Sequence, residues 1–395
     1  MGPLLTAMSA YFLGRLVRLY SSDGMALLAA ALYAISPLTI LIGASFMNHI
    51  SAQFYVILGI WLAVSAVRRP TLFRGLFAGF ALGMGAITRP QDMVLLLPLL
   101  FFFLLAELKN FHFKEPGFRG LILAFIAGAA IPLTGWLMWN HVQYGFALHT
   151  GYGRPYSGQL IRYYSPAWGF DDNFGVKTAT AQFIPMLLRY NQAALGWPAI
   201  FPFMLLALFN RRRLRITIAL VICFAVVPFF FWAYHYYGYE FECRFYHVIH
   251  PVALILAALG LQNGYGILQK RFNAETAKLA TTLLILTCLF YAAAYYWPIY
   301  LFPRYSQNYE EVDPRIHKTV AASGIANAVV VIDATYNRGN LYSSVSQFND
   351  PEIEKGPIIY ARKGNNLDCL KSAYPQREFF ETQLIENSWT IIKLP

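Results

Sequence analysis

The chain has 395 residues, of which 57% are hydrophobic and 13% charged, and its mean hydropathy is +0.44. A soluble domain carries about 25% charged residues, so this composition excludes a soluble multidomain protein, a disordered chain and a disulfide-rich secreted scaffold. Apolar runs of about 20 residues, enough for a helix to cross a hydrocarbon core of roughly 30 Å, mark a polytopic membrane protein.

Ten apolar segments are predicted at 4–20, 24–44, 50–67, 71–88, 92–107, 119–139, 184–209, 214–234, 245–263 and 279–297. The short loops between them alternate in character. One set holds Arg15, Arg18, Arg68, Arg69, Arg74, Lys109, Lys114, Arg119, Arg211, Arg212, Arg213, Arg215, Lys270, Arg271 and Lys278. These fifteen bases face only four acids, Asp23, Glu107, Glu115 and Glu275, and the difference equals the whole net charge of +11. The excess is a positive-inside signal that makes this side cytoplasmic. It is not a nucleic-acid footprint, and no nucleic-acid partner is predicted. Arg15 and Arg18 follow the first segment, so Met1-Gly2-Pro3 starts outside the cytoplasm without a basic n-region or small-residue cleavage site to carry it across. That pattern predicts a chain lacking upstream sequence.

Residues 1–297 therefore read as an all-α membrane domain of about ten transmembrane helices, with one long outer loop at 140–182 rich in Tyr and Gly. Loops of that length are usually functional. Beyond Pro298 the composition turns to that of a small soluble domain over 298–395. There AVVVID (328–333), PIIYAR (357–362) and WTIIKL (389–394) read as strands and 314–322 as a helix, giving a small extracytoplasmic α/β domain. Cys223 and Cys288 fall inside apolar segments. Cys243 and Cys369 fall on the outer side and read as free thiols, a disulfide between them in an oxidising compartment being the alternative, and no ligand spacing is present. No metal site and no cofactor is predicted.

Chemistry is sought where polar residues gather at outer helix ends, since charge at membrane depth is expensive. Four clusters qualify: Ser45–His49; Thr88–Asp92; the long loop with Asn140, His141, Arg154, Arg162, Asp171, Asp172 and Asn173; and Tyr234–His250, with Glu240, Glu242, Arg244, Tyr246, His247 and His250. Together they supply cations for an anion, candidate bases and aromatic walls. Each has a plainer reading: Arg89 and Asp92 as an i, i+3 ion pair closing a hairpin, His49 as a helix cap, and the tyrosines as an interfacial belt. Arg244, crowded by Phe245, Tyr246 and His247, is the hardest to read as merely solvated.

The order of these pieces resembles the membrane glycosyltransferases of the GT-C class, in particular the protein-mannosyltransferase and aminoarabinose-transferase-like family. The similar stretches are Gly14-Arg15, ALLAAALYAISPLTI (26–40), SFMNHISAQFYVILGIWL (45–62), GLFAGFALGMGAITRPQDMVLLLPLL (75–100), WNHVQYGFAL (139–148), WGF (168–170), NQAALGWP (191–198) and YGYEFECRFYHVIHPVALILAALGL (237–261). The trailing PIIYARKGNN and AYPQREFF are similar too. The resemblance implies transfer of a sugar, with inversion, from a polyprenyl-phosphate donor to an extracytoplasmic glycan, lipid or protein acceptor, in a bacterial inner membrane. It implies cations on the departing phosphate, for which Arg89 and Arg244 are suited, with His49, Tyr246, His247 and Arg154 as further substrate-binding candidates. It also implies a carboxylate base. The family's usual acidic loop and first helix have no counterpart here, which leaves Asp92, Asp171 and Glu240 as unresolved candidates. The alternative is a non-catalytic membrane protein that binds a lipid-linked sugar or a partner.

Overall fold

The computed structural model describes residues 1–45, 47–107, 116–148, 169–170, 174–210, 214–234, 241–306, 309, 312–333, 341–364 and 367–395. They form two compact units, Met1–Tyr296 and Trp297–Pro395.

The first unit is helical: α1 (Gly2–Arg18), α2 (Asp23–Ile35), α3 (Pro37–Ala44), α4 (His49–Arg68), α5 (Leu72–Thr88), α6 (Pro90–Ala106), α7 (Pro116–Tyr144), α8 (Val176–Ala193), α9 (Phe201–Leu206), α10 (Leu214–Trp232), α11 (His250–Arg271) and α12 (Ala274–Tyr291). Among the described residues, five helical stretches are long and apolar enough to cross a membrane: α4, Gly117–Tyr144, α10, Arg244–Arg271 and Ala274–Ser306. The pair α2 and α3, bent by 55°, makes a sixth when counted as one broken span, and α5 and α6 are shorter apolar helices.

Glycine spacing explains the tightest of these packings. A Cβ on Gly79 of α5 would lie 1.9 Å from the Phe125 carbonyl oxygen of α7, and one on Gly128 of α7 would lie 2.0 Å from the Leu76 carbonyl oxygen. Small residues let helix backbones approach where lipid offers no hydrophobic drive between helices.

The predicted segment 184–209 is not one helix. Helix α8 begins at Val176, inside the stretch read as outer loop, and the chain breaks at 194–200 before α9. The break is built from local chemistry. Asn191 Oδ1 accepts hydrogen bonds from the Ile200 and Phe201 amides at 3.0 and 2.8 Å, which satisfies the first donors of α9. Gly196 sits at φ +64°, a conformation only glycine adopts without strain. Thr180 meets Trp232, Phe183 meets Phe229 and Tyr190 meets Phe224, so α8 runs antiparallel to α10.

The two broken helices meet each other. Ser36 caps α3, accepting from the Thr39 amide, and Pro37 follows it at the first helical position. The Ser36 hydroxyl donates to the Ala194 carbonyl at 2.6 Å, and His250 Nε2 lies 2.8 Å from the same oxygen. That hydroxyl has one proton, already given to Ala194, so His250 donates from Nε2 and accepts at Nδ1 from the Tyr190 hydroxyl, 3.0 Å away. His250 is thus a satisfied core histidine that ties α3, α8 and α11 together.

A π-helix, Ala292–Leu301, leads from α12 into α13 (Phe302–Ser306) and α14 (Arg315–Ala322). The second unit holds strands β1 (Ala328–Ile332), β2 (Ile358–Arg362), β3 (Glu378–Ile385) and β4 (Ser388–Lys393), with α15 (Leu367–Ala373) between β2 and β3. The strand order is β2-β1-β3-β4, with β1 parallel to β2 and β3 and β4 antiparallel to β3. Ile316 and Val320 of α14 cover Val330, Ile332 and Tyr360 on one face, while Leu367 and Leu370 of α15 cover Val329, Val331 and Ile359 on the other. Burial on both faces is why β1 reads as an unbroken apolar run. Asp313 anchors the start of α14: burial alone would raise its carboxyl, but hydrogen bonds from the Arg315 side chain, the Trp389 indole and the Arg315 amide hold it at about 2. All four cysteines are free.

Candidate functional site

Three of the predicted clusters fall in one neighbourhood of the first unit. Arg89 is the residue between α5 and α6, at φ −149° and ψ 88°, where Pro90 starts the next helix. Proline disfavours helical backbone in the residue before it, so the Arg-Pro pair itself creates this corner. Arg89 is 5% exposed and Asp92 4% exposed. The Arg89 Nε donates to Asp92 Oδ2 at 2.7 Å, and Nη1 donates to Asn48 Oδ1 and to His49 Nδ1, both at 3.3 Å. Asn48 Nδ2 in turn donates to the Thr88 carbonyl at 3.1 Å, so the start of α4 is laced to the α5–α6 corner.

The third wall is the 3-10 turn Arg244–Ile249 that leads into α11. It follows Phe241 and Glu242, both in the left-handed region at φ 53° and 56°. Such residues cost about 1–3 kcal/mol and persist where surroundings over-determine them. Here Glu242 is buried and its Oε2 lies 3.8 Å from Arg189 Nε of α8. Tyr246 is buried with its ring edge-on to Tyr190, at 5.6 Å between centroids. The guanidinium of Arg244 lies over the Phe245 ring at 5.1 Å. Gln53, one turn along α4 from His49, accepts from the Tyr33 hydroxyl and donates to the His247 carbonyl. This fixes the 3-10 turn against α4.

The charges of Arg89 and Arg244, and the ring of His247, all bear on His49, and Arg89 also bears on His247. Arg89, Arg244, His49 and His247 are therefore brought together although the sequence separates the two arginines by about 155 residues. At least three nitrogens of Arg89, His49 and His247 have no hydrogen-bond partner among the described residues. Two are buried, His49 Nε2 and His247 Nε2. The third is Nη2 of Arg89, since Nε and Nη1 are the atoms engaged. The arrangement is a buried group of donors suited to an anionic oxygen.

Of the remaining candidates, Asp92 is present and held by Arg89, whereas Arg154, Asp171 and Glu240 lie outside the described residues. Sequence reading did not single out Gln53 or Arg189. The signal for Gln53 was available, because His49 and Gln53 are i and i+4 on one face of α4. An apolar cleft, about 90 Å³, lies elsewhere, lined by Leu16, Tyr20, Met25, Phe103, Ile216 and Leu259. Its lining carries no acid, base or cation apart from the Tyr20 phenol, so the Arg89 group is the better candidate for chemistry. Among the described residues no group of His, Cys, Asp and Glu is placed to hold a metal ion.

Comparison with known proteins gives a family match and several similar solved structures. Residues 2–139 match the family described as dolichyl-phosphate-mannose-protein mannosyltransferase. The Archaeoglobus fulgidus oligosaccharyltransferase in its apo form aligns with 98% of this chain at 14% identity and a TM-score of 0.42. The archaeal oligosaccharyltransferase AglB from Archaeoglobus fulgidus, in complex with an inhibitory peptide and a dolichol-phosphate, aligns with 96% at 14% identity and a TM-score of 0.43. The chain spans 58% and 57% of the length of those two proteins. No curated protein matches it significantly. The resemblance to GT-C-type glycosyltransferases holds over residues 2–139, the stretch that carries α1–α6, most of α7, and with them His49, Arg89 and Asp92.

Proposed function

We propose that this chain is a membrane glycosyltransferase that moves a sugar, with inversion, from a polyprenyl-phosphate donor to an extracytoplasmic acceptor. The observation that carries this reading is the group of buried Arg89, His49 and His247 with half-buried Arg244 beside it, in which Arg89 and the two imidazoles keep nitrogens open inside a membrane-type helical unit. The family matched by residues 2–139 acts from a dolichyl-phosphate-linked mannose, which supports a lipid-phosphate donor here.

In this reading about ten spans cross a bacterial inner membrane. The Arg89 corner and residues 298–395 face outward, and the basic loops face the cytoplasm. The leaving group is the carrier's phosphate, whose developing charge the arginines and imidazole N–H groups stabilise where water is scarce. A carboxylate takes the acceptor's proton as the hydroxyl attacks the anomeric carbon. Asp92, Asp171 and Glu240 are the candidates for it. Asp92 already has one oxygen committed to Arg89, which suits it to orienting the guanidinium. That commitment is also what favours the second reading, a protein that holds the lipid-linked sugar without turning it over.

The test is release of polyprenyl phosphate from a labelled donor by the purified protein, in wild type and in Arg244→Ala. Release by wild type that collapses in the variant supports the enzyme. Tight donor binding with no release selects the second reading. For the orientation, a cysteine at the exposed Ser343 is expected to react with an impermeant thiol reagent in intact cells. Reaction only after permeabilisation would invert the topology.

A further inference from the structure

The hydrogen bond between Arg89 and His49 fixes more than a distance. Arg89 Nη1 lies 3.3 Å from His49 Nδ1. A guanidinium has five N–H donors and no acceptor, so the imidazole must accept at Nδ1. A protonated imidazole has no lone pair there to offer. A neutral one that accepts at Nδ1 carries its single proton at Nε2. That Nε2 is buried and has no partner among the described residues. A buried donor left unmade costs about 1–3 kcal/mol, so the resting site carries an unmet demand for an acceptor.

The arrangement upstream of His49 keeps this tautomer in place. Asp92 Oδ2 takes the Arg89 Nε proton at 2.7 Å, and Asn48 Oδ1 takes one of the two Nη1 protons. The other Nη1 proton is thereby directed at His49. The Asn48 amide is itself oriented, because its Nδ2 donates to the Thr88 carbonyl. Carboxylate, guanidinium and imidazole thus form a chain in which each group sets the next.

We infer that His49 is a neutral imidazole locked by Arg89 with its proton on Nε2, and that this N–H is a specificity-determining donor to an oxygen of the carrier's phosphate. The inference rests on the reading of this site as a lipid-phosphate site and adds to it a direction. Arg89 acts through His49 as a positioning residue, in addition to whatever its own Nη2 contacts. A donor fixed in this way favours an oxygen that only accepts, as phosphate oxygens do, over a group that must also donate.

Two measurements on the full-length protein test it. In protein labelled with 15N-histidine, assigned by comparison with His49→Gln, the His49 signal is expected to be that of a neutral ring protonated at Nε2. It is expected to shift when polyprenyl phosphate is added. An imidazolium, or a ring protonated at Nδ1, overturns the inference whatever the ligand does. Polyprenyl-phosphate affinity is then compared in His49→Gln, whose amide reaches the Nε2 position with a donor, and His49→Asn, whose amide does not. The Asn variant is expected to lose about tenfold or more and the Gln variant to recover most of that loss. Arg244→Ala separates the two readings. If it weakens binding while His49→Asn does not, the site holds the phosphate without His49 and the inference fails alone. If wild type does not bind polyprenyl phosphate, the carrier reading fails, and the inferred role of His49 with it.

Discussion

An arginine–carboxylate pair lies at each end of the neighbouring helices α4 and α6, and the two ends are built to different rules. At one end Arg68, the last residue of α4, donates through Nε and Nη2 to Glu107 Oε1 at 3.0 and 2.6 Å. Its Nη1 donates to the Leu19 carbonyl at 2.8 Å, and its guanidinium lies 4.8 Å over the Tyr20 ring. At the other end, about 30 Å away by the rise of a 20-residue helix, Arg89 is bound to Asp92, Asn48 and His49, yet Nη2 and the His49 and His247 Nε2 atoms stay open. Every nitrogen of the first arginine is spoken for, so it clamps α1, α4 and α6. The second is oriented but not saturated. An arginine that a protein fixes and leaves with spare donors is suited to a ligand, and this contrast is what supports the proposal of a site at the Arg89 end.

The largest effects expected are on stability, and both ends should show them. Removing one partner of a buried pair strands the other charge and costs about 3–5 kcal/mol. Arg68→Ala strands Glu107, whose side chain is 3% exposed, and Arg89→Ala strands Asp92, whose side chain is 6% exposed. Thermal unfolding in detergent should report the larger loss for Arg89→Ala, where both partners are buried, and a smaller one for Arg68→Ala, since the Arg68 side chain is 32% exposed. Each should be recovered in large part, by Arg89→Ala with Asp92→Ala and by Arg68→Ala with Glu107→Ala. A loss at one end only would end the comparison as drawn.

The next effect separates the ends. With polyprenyl phosphate as ligand, Arg89→Ala with Asp92→Ala should weaken binding by roughly 1.5–3 kcal/mol, the range for a charge-assisted hydrogen bond. Arg68→Ala with Glu107→Ala, matched in stability, should leave binding unchanged. Equal affinity in both double variants would remove the phosphate from the Arg89 end.

How far this contrast was legible in the sequence follows from what each feature depends on. Apolar run length located the helices, because spanning needs little more than length and composition. It failed at 184–209, where Gly196 and Asn191 make a turn inside an apolar stretch without changing its hydropathy. It also missed the start of α8, whose polar first turns read as loop. Strand β3 escaped notice for the related reason that EFFETQLI mixes Glu, Thr and Gln into a central strand, with Glu381 and Thr382 buried. The site residues His49, Arg89, Asp92, Arg244 and His247 were readable as polar groups at helix ends. Their partnership was not. The i, i+3 spacing of Arg89 and Asp92 is local, whereas the bonds from Arg89 to Asn48 and His49 span about 40 residues and appear only once α4 packs on the α5–α6 corner.

The second unit offers a pair of intermediate strength. Asp313 is held at about 2 by Arg315 and Trp389 despite burial that opposes it. A depressed carboxylate contributes stability above its unfolded value near 4 and loses it as pH falls through the folded one. The contribution is at most about 2 kcal/mol, or roughly 30-fold in opening equilibrium, since Arg315 is partly exposed. Hydrogen exchange at the β1 amides of the intact chain, wild type against Asp313→Asn at matched pH, should show this ratio at pH 6 and little of it at pH 2. A ratio that does not change with pH would mean that the carboxylate's charge is not what anchors α14.

The smallest effect comes from a third arginine–carboxylate pair, which sets the baseline for the other two. Arg18 Nε and Asp23 Oδ1 are 2.7 Å apart, as close as Arg89 and Asp92, but their side chains are 59% and 75% exposed. Distance alone would rank the two pairs as equal. Solvent screening and the entropy of holding long side chains put an exposed pair at about 0–1 kcal/mol. Arg18→Ala strands no charge, because water takes over the Asp23 carboxylate. Its stability loss should therefore stay within about 1 kcal/mol and shrink further as salt is raised toward 1 M, where the screening length falls to about 3 Å. The Arg89 loss should hardly respond to salt, and the Arg68 loss, with one partner partly exposed, should respond to an intermediate degree. If Arg18→Ala instead costs as much as Arg89→Ala, burial is not what gives these pairs their strength, and the distinction between a clamped arginine and a poised one loses its physical basis.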